Sequence, residues 1–201
     1  MTGILQSLHK TLLTGTILAI ALLILMKSMP DGWAFDYAFF QTLFRYFHVL
    51  AGVMWIGLLW YLNFIQIPNM PKIPDEQKPA ISKVIAPAVL FWFRWAAFVT
   101  VISGLIVAYF RGYVHSALLF GYPSFMDQHV VIGIGMWLGL IMAFNVWFII
   151  WPNQKKVLGI VEADAETKAK SAKTAMLFSR TNTLLSIPML LAMVSAQNLY
   201  Y

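Results

Sequence analysis

Apolar residues fall into five long runs along this chain, roughly residues 12–26, 42–67, 86–110, 129–151 and 181–197, and the stretches between them hold most of the charge. A helix needs about 20 apolar residues to cross about 30 Å of hydrocarbon. The pattern therefore predicts an all-α integral membrane protein with five transmembrane helices. The first run is short and follows Lys10, as in a signal peptide, but no small-x-small cleavage site follows it, so a retained anchor is expected. Residues 68–83 are rich in proline and lysine and predict a solvated connection. Residues 152–180 predict a longer connection with a short helix of its own over 161–176, where Asp164 and Lys168, and Glu166 and Lys170, stand four apart. Trp33, Phe35, Tyr37, Phe39 and Phe40 cluster ahead of the second run, as aromatic rings do at a membrane–water interface.

Composition strengthens this picture. The chain is 60% hydrophobic and 11% charged, with a mean hydropathy of +0.73, whereas soluble domains carry about twice that charge. The absence of cysteine excludes disulfides, iron–sulfur clusters, thiolate metal sites and covalently attached haem. The net charge of +6 does not point to nucleic acid, because the basic residues sit in short loops and read as topology signals. Lys10, Lys72, Lys78, Lys83, Lys155, Lys156, Lys168, Lys170, Lys173 and Arg180 fall on one side; Lys27, Arg45 and Arg111 fall on the other. The expected setting is a bacterial inner membrane, with lipid as the first partner, the N-terminus cytoplasmic and the C-terminus periplasmic. His48, His115 and His129 then lie toward the outer face, and His9 toward the inner one.

One pattern occurs twice. His48 opens a run with Gly52, Met54-Trp55, Gly57-Leu58, Asn63 and Pro68-Asn69; His129 opens another with Gly133, Met136-Trp137, Gly139-Leu140, Asn145 and Pro152-Asn153. The offset is 81 residues at the histidine and glycine and 82 from Met-Trp onward, so one residue is inserted. Arg94 and Arg180, followed by Ser103 and Ser186, extend the likeness weakly. The expected domains are an anchor helix with an outer interfacial segment over 1–41 and a four-helix membrane domain over 42–201. Within the latter, repeat 1 covers about 42–110 and repeat 2 about 129–198. Two copies in the same topology are related by an axis along the membrane normal, which makes spans 2–5 a pseudo-twofold four-helix bundle.

His48, Gly52 and Trp55 lie at i, i+4 and i+7 on one helical stripe, and His129, Gly133 and Met136 or Trp137 repeat it. The glycines clear room one turn from each imidazole, and Trp55 and Trp137 are placed to pack there. A b-type haem ligated by His48 and His129 in a bundle core meets these requirements. A single metal ion between the two histidines is the alternative, and so is no cofactor at all. In that last case the histidines only hydrogen-bond and the glycines pack helices. Ionisable groups inside a membrane are functional by default, and the duplication favours ligation. Arg94 is the charge deepest inside a span: it meets a haem propionate or an anionic substrate on one reading, and snorkels to inner headgroups on the other. Asn63 and Asn145 are expected to tie helices together, and His115 to be a plain surface residue. No catalytic residue is singled out, and no Ser-His-Asp set, P-loop, dinucleotide fingerprint or HExxH occurs.

The run Phe47-His48 to Gly57, then Arg94-Trp95, His129 with Gly133, Trp151-Pro152-Asn153-Gln154, and Ser179-Arg180-Thr181-Asn182 to Pro188 resembles the membrane domain of bacterial urate hydroxylases over roughly residues 42–197. The resemblance implies a membrane protein that oxidises urate and passes electrons to a cytochrome c domain at its own C-terminus. This sequence holds no CxxCH, so a version without the fused cytochrome is expected. The family's last span ends near a histidine in a Ser-Asn-His-like run, where this chain has Ser195-Ala196-Gln197-Asn198. Three functions follow as expectations. The first is a membrane redox subunit relaying electrons with a larger respiratory or oxidative complex, through other membrane subunits or a separate cytochrome c. The second is a urate hydroxylase-like enzyme working with a separate cytochrome c. The third is a non-catalytic accessory subunit of a membrane complex.

Overall fold

The computed structural model describes residues 2–200, all helix and connection with no strand among them. A first turn, α1 (Thr2–Leu5), precedes α2 (Leu8–Lys27); then come α3 (Tyr37–Lys72), α4 (Lys78–Phe110), the short α5 (Val114–Leu118), α6 (Asp127–Val157) and α7 (Ala165–Asn198). The helices α2, α3, α4, α6 and α7 are long and apolar enough to cross a membrane, so the chain is a multi-pass membrane protein. It divides into two compact units, Met1–Thr42 and Leu43–Tyr201. In the first, α2 buries none of its residues, and Trp33 donates its indole N–H to the Leu23 carbonyl while Lys27 lies over the Trp33 and Phe35 rings.

In the second unit four helices share one core. Trp55 and Leu59 of α3, Leu90 and Phe93 of α4, Met142, Val146 and Ile150 of α6, and Ala175 and Met189 of α7 are buried in a single cluster. Helices in lipid gain little from the hydrophobic effect and associate through close packing of small residues. Accordingly, Gly135 of α6 sits against Ala192 and Met193 of α7, with no room for a side chain unless both give by a few tenths of an ångström. A layer of polar side chains crosses the same interior. Asn63 donates to Ser179 Oγ at 2.7 Å, Asn145 donates to Asn182 Oδ1 at 2.8 Å, Asn182 donates to the Met142 carbonyl at 2.9 Å, and Trp60 donates to Ser186 Oγ at 3.1 Å. The asparagines tie α3 and α6 to α7, as their polarity predicts.

The connections are shorter than the sequence suggests. Residues 68–83 are not one solvated loop: α3 runs through Pro68 to Lys72, and only residues 73–77 separate it from α4. The reason lies in three widened turns. The π-helical segments Tyr61–Gln66, Ile81–Ile85 and Asn145–Ile150 each end directly before an X-Pro pair. There the N–H of Ile67, Ala86 and Trp151 reaches back five residues, to the carbonyls of Leu62, Ile81 and Val146. A proline brings no N–H and presses on the carbonyl four residues back; widening the turn by one residue relieves that clash without ending the helix. The expected separate helix over 161–176 is likewise not separate. Gly159, at φ +73°, follows the end of α6, and Asp164 then caps α7, accepting from Thr167 N–H at 2.7 Å and Thr167 Oγ1 at 3.0 Å. From there α7 continues unbroken for 34 residues, because no breaker lies between its alanine-rich start and the fifth apolar run. Lys170 pairs with Glu166 at 2.7 Å as expected, whereas Asp164 serves the cap instead of Lys168.

Asn182 is wholly buried and bonded on both sides of its amide. Asn182→Ala is expected to destabilise the bundle by about 1–2 kcal/mol, from the two interhelical bonds lost and the Asn145 amide left without its acceptor, read from unfolding in mixed micelles. The Asp164 cap gives a second expectation. Its bonds to Thr167 hold the carboxyl below the usual range, so the stabilisation is present above the ordinary aspartate value and is lost as pH falls through the lowered one. Amide exchange at the start of α7 should therefore quicken only under strongly acidic conditions, and should be fast at neutral pH in Asp164→Ala.

Candidate functional site

Successive long helices of the second unit run in opposite directions, so His48, the end of α4, α5, the start of α6 and the end of α7 share one end of the bundle. The lysine-rich connections share the other. Gln128 fastens this histidine end by donating to the Ala196 carbonyl at 2.9 Å.

The two imidazoles have different partners. His48 is half-buried, with its ring on α4: Nδ1 lies 2.8 Å from the Thr100 carbonyl. A Cβ built on Gly104 would come within 2.8 Å of His48 Cε1. A carbonyl oxygen only accepts, so Nδ1 carries the hydrogen, and the neutral ring keeps its lone pair on Nε2. His129 turns to the short α5: Nδ1 lies 2.9 Å from Ser116 Oγ, and its ring centroid is 5.7 Å from that of Tyr113. A hydroxyl both donates and accepts, so this contact admits either tautomer. Among the described residues no hydrogen bond or ring contact links the two histidines.

The residues that accompany them diverge. Gly52 is half-buried, and a Cβ there would make ordinary contact with Thr100 Cγ2 at 3.9 Å. Gly133 is buried against α5, and a Cβ there would run into the Ala117 carbonyl. The space beside Gly133 is thus taken by backbone of this chain. Trp55 is 1% exposed, in the centre of the core, with its indole N–H unpartnered. Trp137 is 41% exposed and donates to the Leu118 carbonyl at 3.0 Å. Because of the inserted residue, position i+7 counted from the histidine is Trp55 in one run and Met136 in the other. Met136 packs on Ile132, Ala117 and Ala196, and Trp137 lies one position outside that stripe.

Arg94 lies six residues before Thr100, about 9 Å along the helix axis. Its guanidinium carbon lies over the Trp151 ring, 3.4 Å from the centroid, toward the lysine-rich end of α6. Nη1 is buried without a partner. Arg180 is exposed and does not reproduce this position. His115 is exposed on α5. Thr100, Gly104, Ser116 and Ala117, which seat the histidine end, were not singled out by the sequence; their roles arise from helix pairing, which periodicity does not reveal. No cluster of three or more His, Cys, Asp or Glu suited to a metal occurs among the described residues.

Residues 106–200 match the family described as urate oxidase N-terminal, so the stretch from the end of α4 through α7 is similar to that family. No curated protein and no solved structure matches the chain.

The two glycines should respond differently to the same change. Gly133→Ala is expected to cost about 1–3 kcal/mol by forcing α5 and α6 apart. Gly52→Ala should stay within about 0.5 kcal/mol of wild type. Thermal unfolding in detergent checks both; equal losses would remove the close approach of Ala117 from the account.

Proposed function

We propose, from the match of residues 106–200 to the urate oxidase N-terminal family, that this chain is a membrane redox subunit. In this reading His48 and His129 hold a b-type haem or a single metal ion at the end of the bundle that faces the periplasm, and electrons pass to or from a larger respiratory or oxidative complex. The N-terminus is then cytoplasmic and the C-terminus periplasmic, in a bacterial inner membrane.

The observation that carries the reading is the bond between His48 Nδ1 and the Thr100 carbonyl. An imidazole that donates one nitrogen's hydrogen to a carbonyl is fixed in orientation and tautomer and presents the other nitrogen as a base, which is how metal-ligating histidines are wired. Ser116 can accept from His129 Nδ1 in the same sense. The repeated sequence supports treating α3–α4 and α6–α7 as two copies of one unit. Both copies widen into a π turn before Pro68 and Pro152, and both place an asparagine one residue later that donates four back, Asn69 to Ile65 and Asn153 to Ile149. A bound haem or metal would supply one-electron chemistry. The chain's own groups supply the rest: the His48 and His129 imidazoles, Trp55 and Trp137 farther along the same helices, and Arg94 as a cation with an unpartnered Nη1 able to meet an anion.

The second reading is a urate hydroxylase-like enzyme that uses a separate cytochrome c, favoured by the family match. An absorption spectrum of the purified chain, oxidised and reduced, tests the first. A Soret band is expected, lost in His48→Ala and in His129→Ala and kept in His115→Ala. Urate turnover with added cytochrome c separates the second reading from the first. Protein free of haem and metal, with stability unchanged by both histidine substitutions, would leave the accessory-subunit function standing.

A further inference from the structure

Beside His129 lies a group of charges that the reading above does not use. Arg45 on α3 and Arg111, just past the end of α4, lie close enough to repel one another, and both lie near the Tyr113 hydroxyl. The ion pairs among the described residues, Lys78–Asp75 and Lys170–Glu166, involve neither arginine. Asp127, the acid nearest to Tyr113 in the sequence, pairs with neither of them. Arg45 Nε is buried and has no hydrogen-bond partner. Tyr113 is half-buried where the chain enters α5, its ring beside that of His129. Burial holds its phenol above the ordinary value against the pull of Arg111 and Arg45, so at neutral pH it is a hydroxyl able to donate.

We propose that Arg45, Arg111 and Tyr113 form a carboxylate-binding clamp at the histidine end of the bundle. Two adjacent guanidiniums without an acid are unfavourable by themselves, and a buried unpartnered Nε adds to that. A carboxylate answers both, because a guanidinium presents paired N–H groups in the fork that a planar carboxylate fits. The Tyr113 hydroxyl supplies a further donor, and the Tyr113 and His129 rings give a flat organic anion an aromatic flank. The carboxylate belongs either to the edge of a cofactor held by His129, in which case the clamp rests on the function proposed above, or to a free aromatic acid, in which case it does not.

The test uses the full chain in nanodiscs of zwitterionic lipid, with haem, haem dimethyl ester and benzoate as probes. If the carboxylate is the cofactor's, wild type should bind haem about tenfold or more tighter than the ester, since charge-assisted pairs are the strong ones. Arg45→Gln/Arg111→Gln should then bind the two alike. If the source is a free acid, benzoate should raise the melting temperature of wild type and not of the double variant, and Tyr113→Phe should lie between them. That arm needs no haem, so it survives failure of the haem reading. Without ligand the double variant should melt no lower than wild type, because a repulsive pair has gone. Should it fail to accumulate, Arg45→Lys/Arg111→Lys, which keeps charge and loses the fork, serves in its place and should show the same loss in weaker form. The proposal is overturned if wild type shows neither preference, if the double variant keeps both, or if the ligand-free double variant melts lower. It is equally overturned if phosphatidylglycerol raises the melting temperature and neither carboxylate probe does.

Discussion

Lipid offers no substitute for a missing hydrogen bond, and the second unit is arranged around that constraint. Pro68, Pro87 and Pro152 each deprive a long helix of a backbone donor. In water such a site would be an ordinary place to end a helix. Here the helix widens instead, so that Ile67, Ala86 and Trp151 find carbonyls five residues back and the chain goes on. Asn69 and Asn153 then donate to Ile65 and Ile149, covering backbone groups that the altered turn would leave short of partners.

The same constraint explains where the interior is polar. Asn63, Asn145, Asn182, Ser179 and Ser186 are buried, and each takes part in a bond across helices. These bonds fix α7 against α3 and α6 near mid-bundle. At the histidine end the hold is different: the backbone of α5 lies against Gly133, and Gln128 grips Ala196. Between the two, His48 and His129 are oriented by groups that do not share their helices, a carbonyl of α4 and a hydroxyl of α5. The imidazoles are thus set by tertiary packing, and helix pairing decides which ring nitrogen remains available.

Much of this was legible in the sequence. The apolar runs gave five spanning helices, and the asparagines gave the interhelical ties, because both depend on residue type alone. The features that the sequence hid depend on pairing. A proline next to lysines reads as a loop, and only the π turn before Pro68 shows why it is not. The likeness of the His48 and His129 runs suggested equal surroundings, yet of their aligned large residues Asn63 and Asn145 are buried in both, while Trp55 and Trp137 differ. Each tryptophan stands eight residues before its asparagine, so the two runs keep the same register there and differ in what packs on them, the shared core around Trp55 and the end of α5 beside Trp137, which a motif comparison does not record. Arg94 was read from its depth, but its cation–π contact with Trp151 depends on α4 and α6 lying side by side.

The uninterrupted α7 has a mechanical meaning. Thirty-four residues make a rod about 51 Å long, against about 30 Å of hydrocarbon, so the turns bearing Lys168, Lys170 and Lys173 continue the rod past the apolar layer, with Ser171 and Ala175 buried among them. The rod is clamped at Asn182 and again at Ala196, next to the turn that carries His129. Between the clamps sits Pro188, where the backbone lacks a donor and bending is easiest. The point of easiest bending in the rod therefore lies between the asparagine layer and the histidine end.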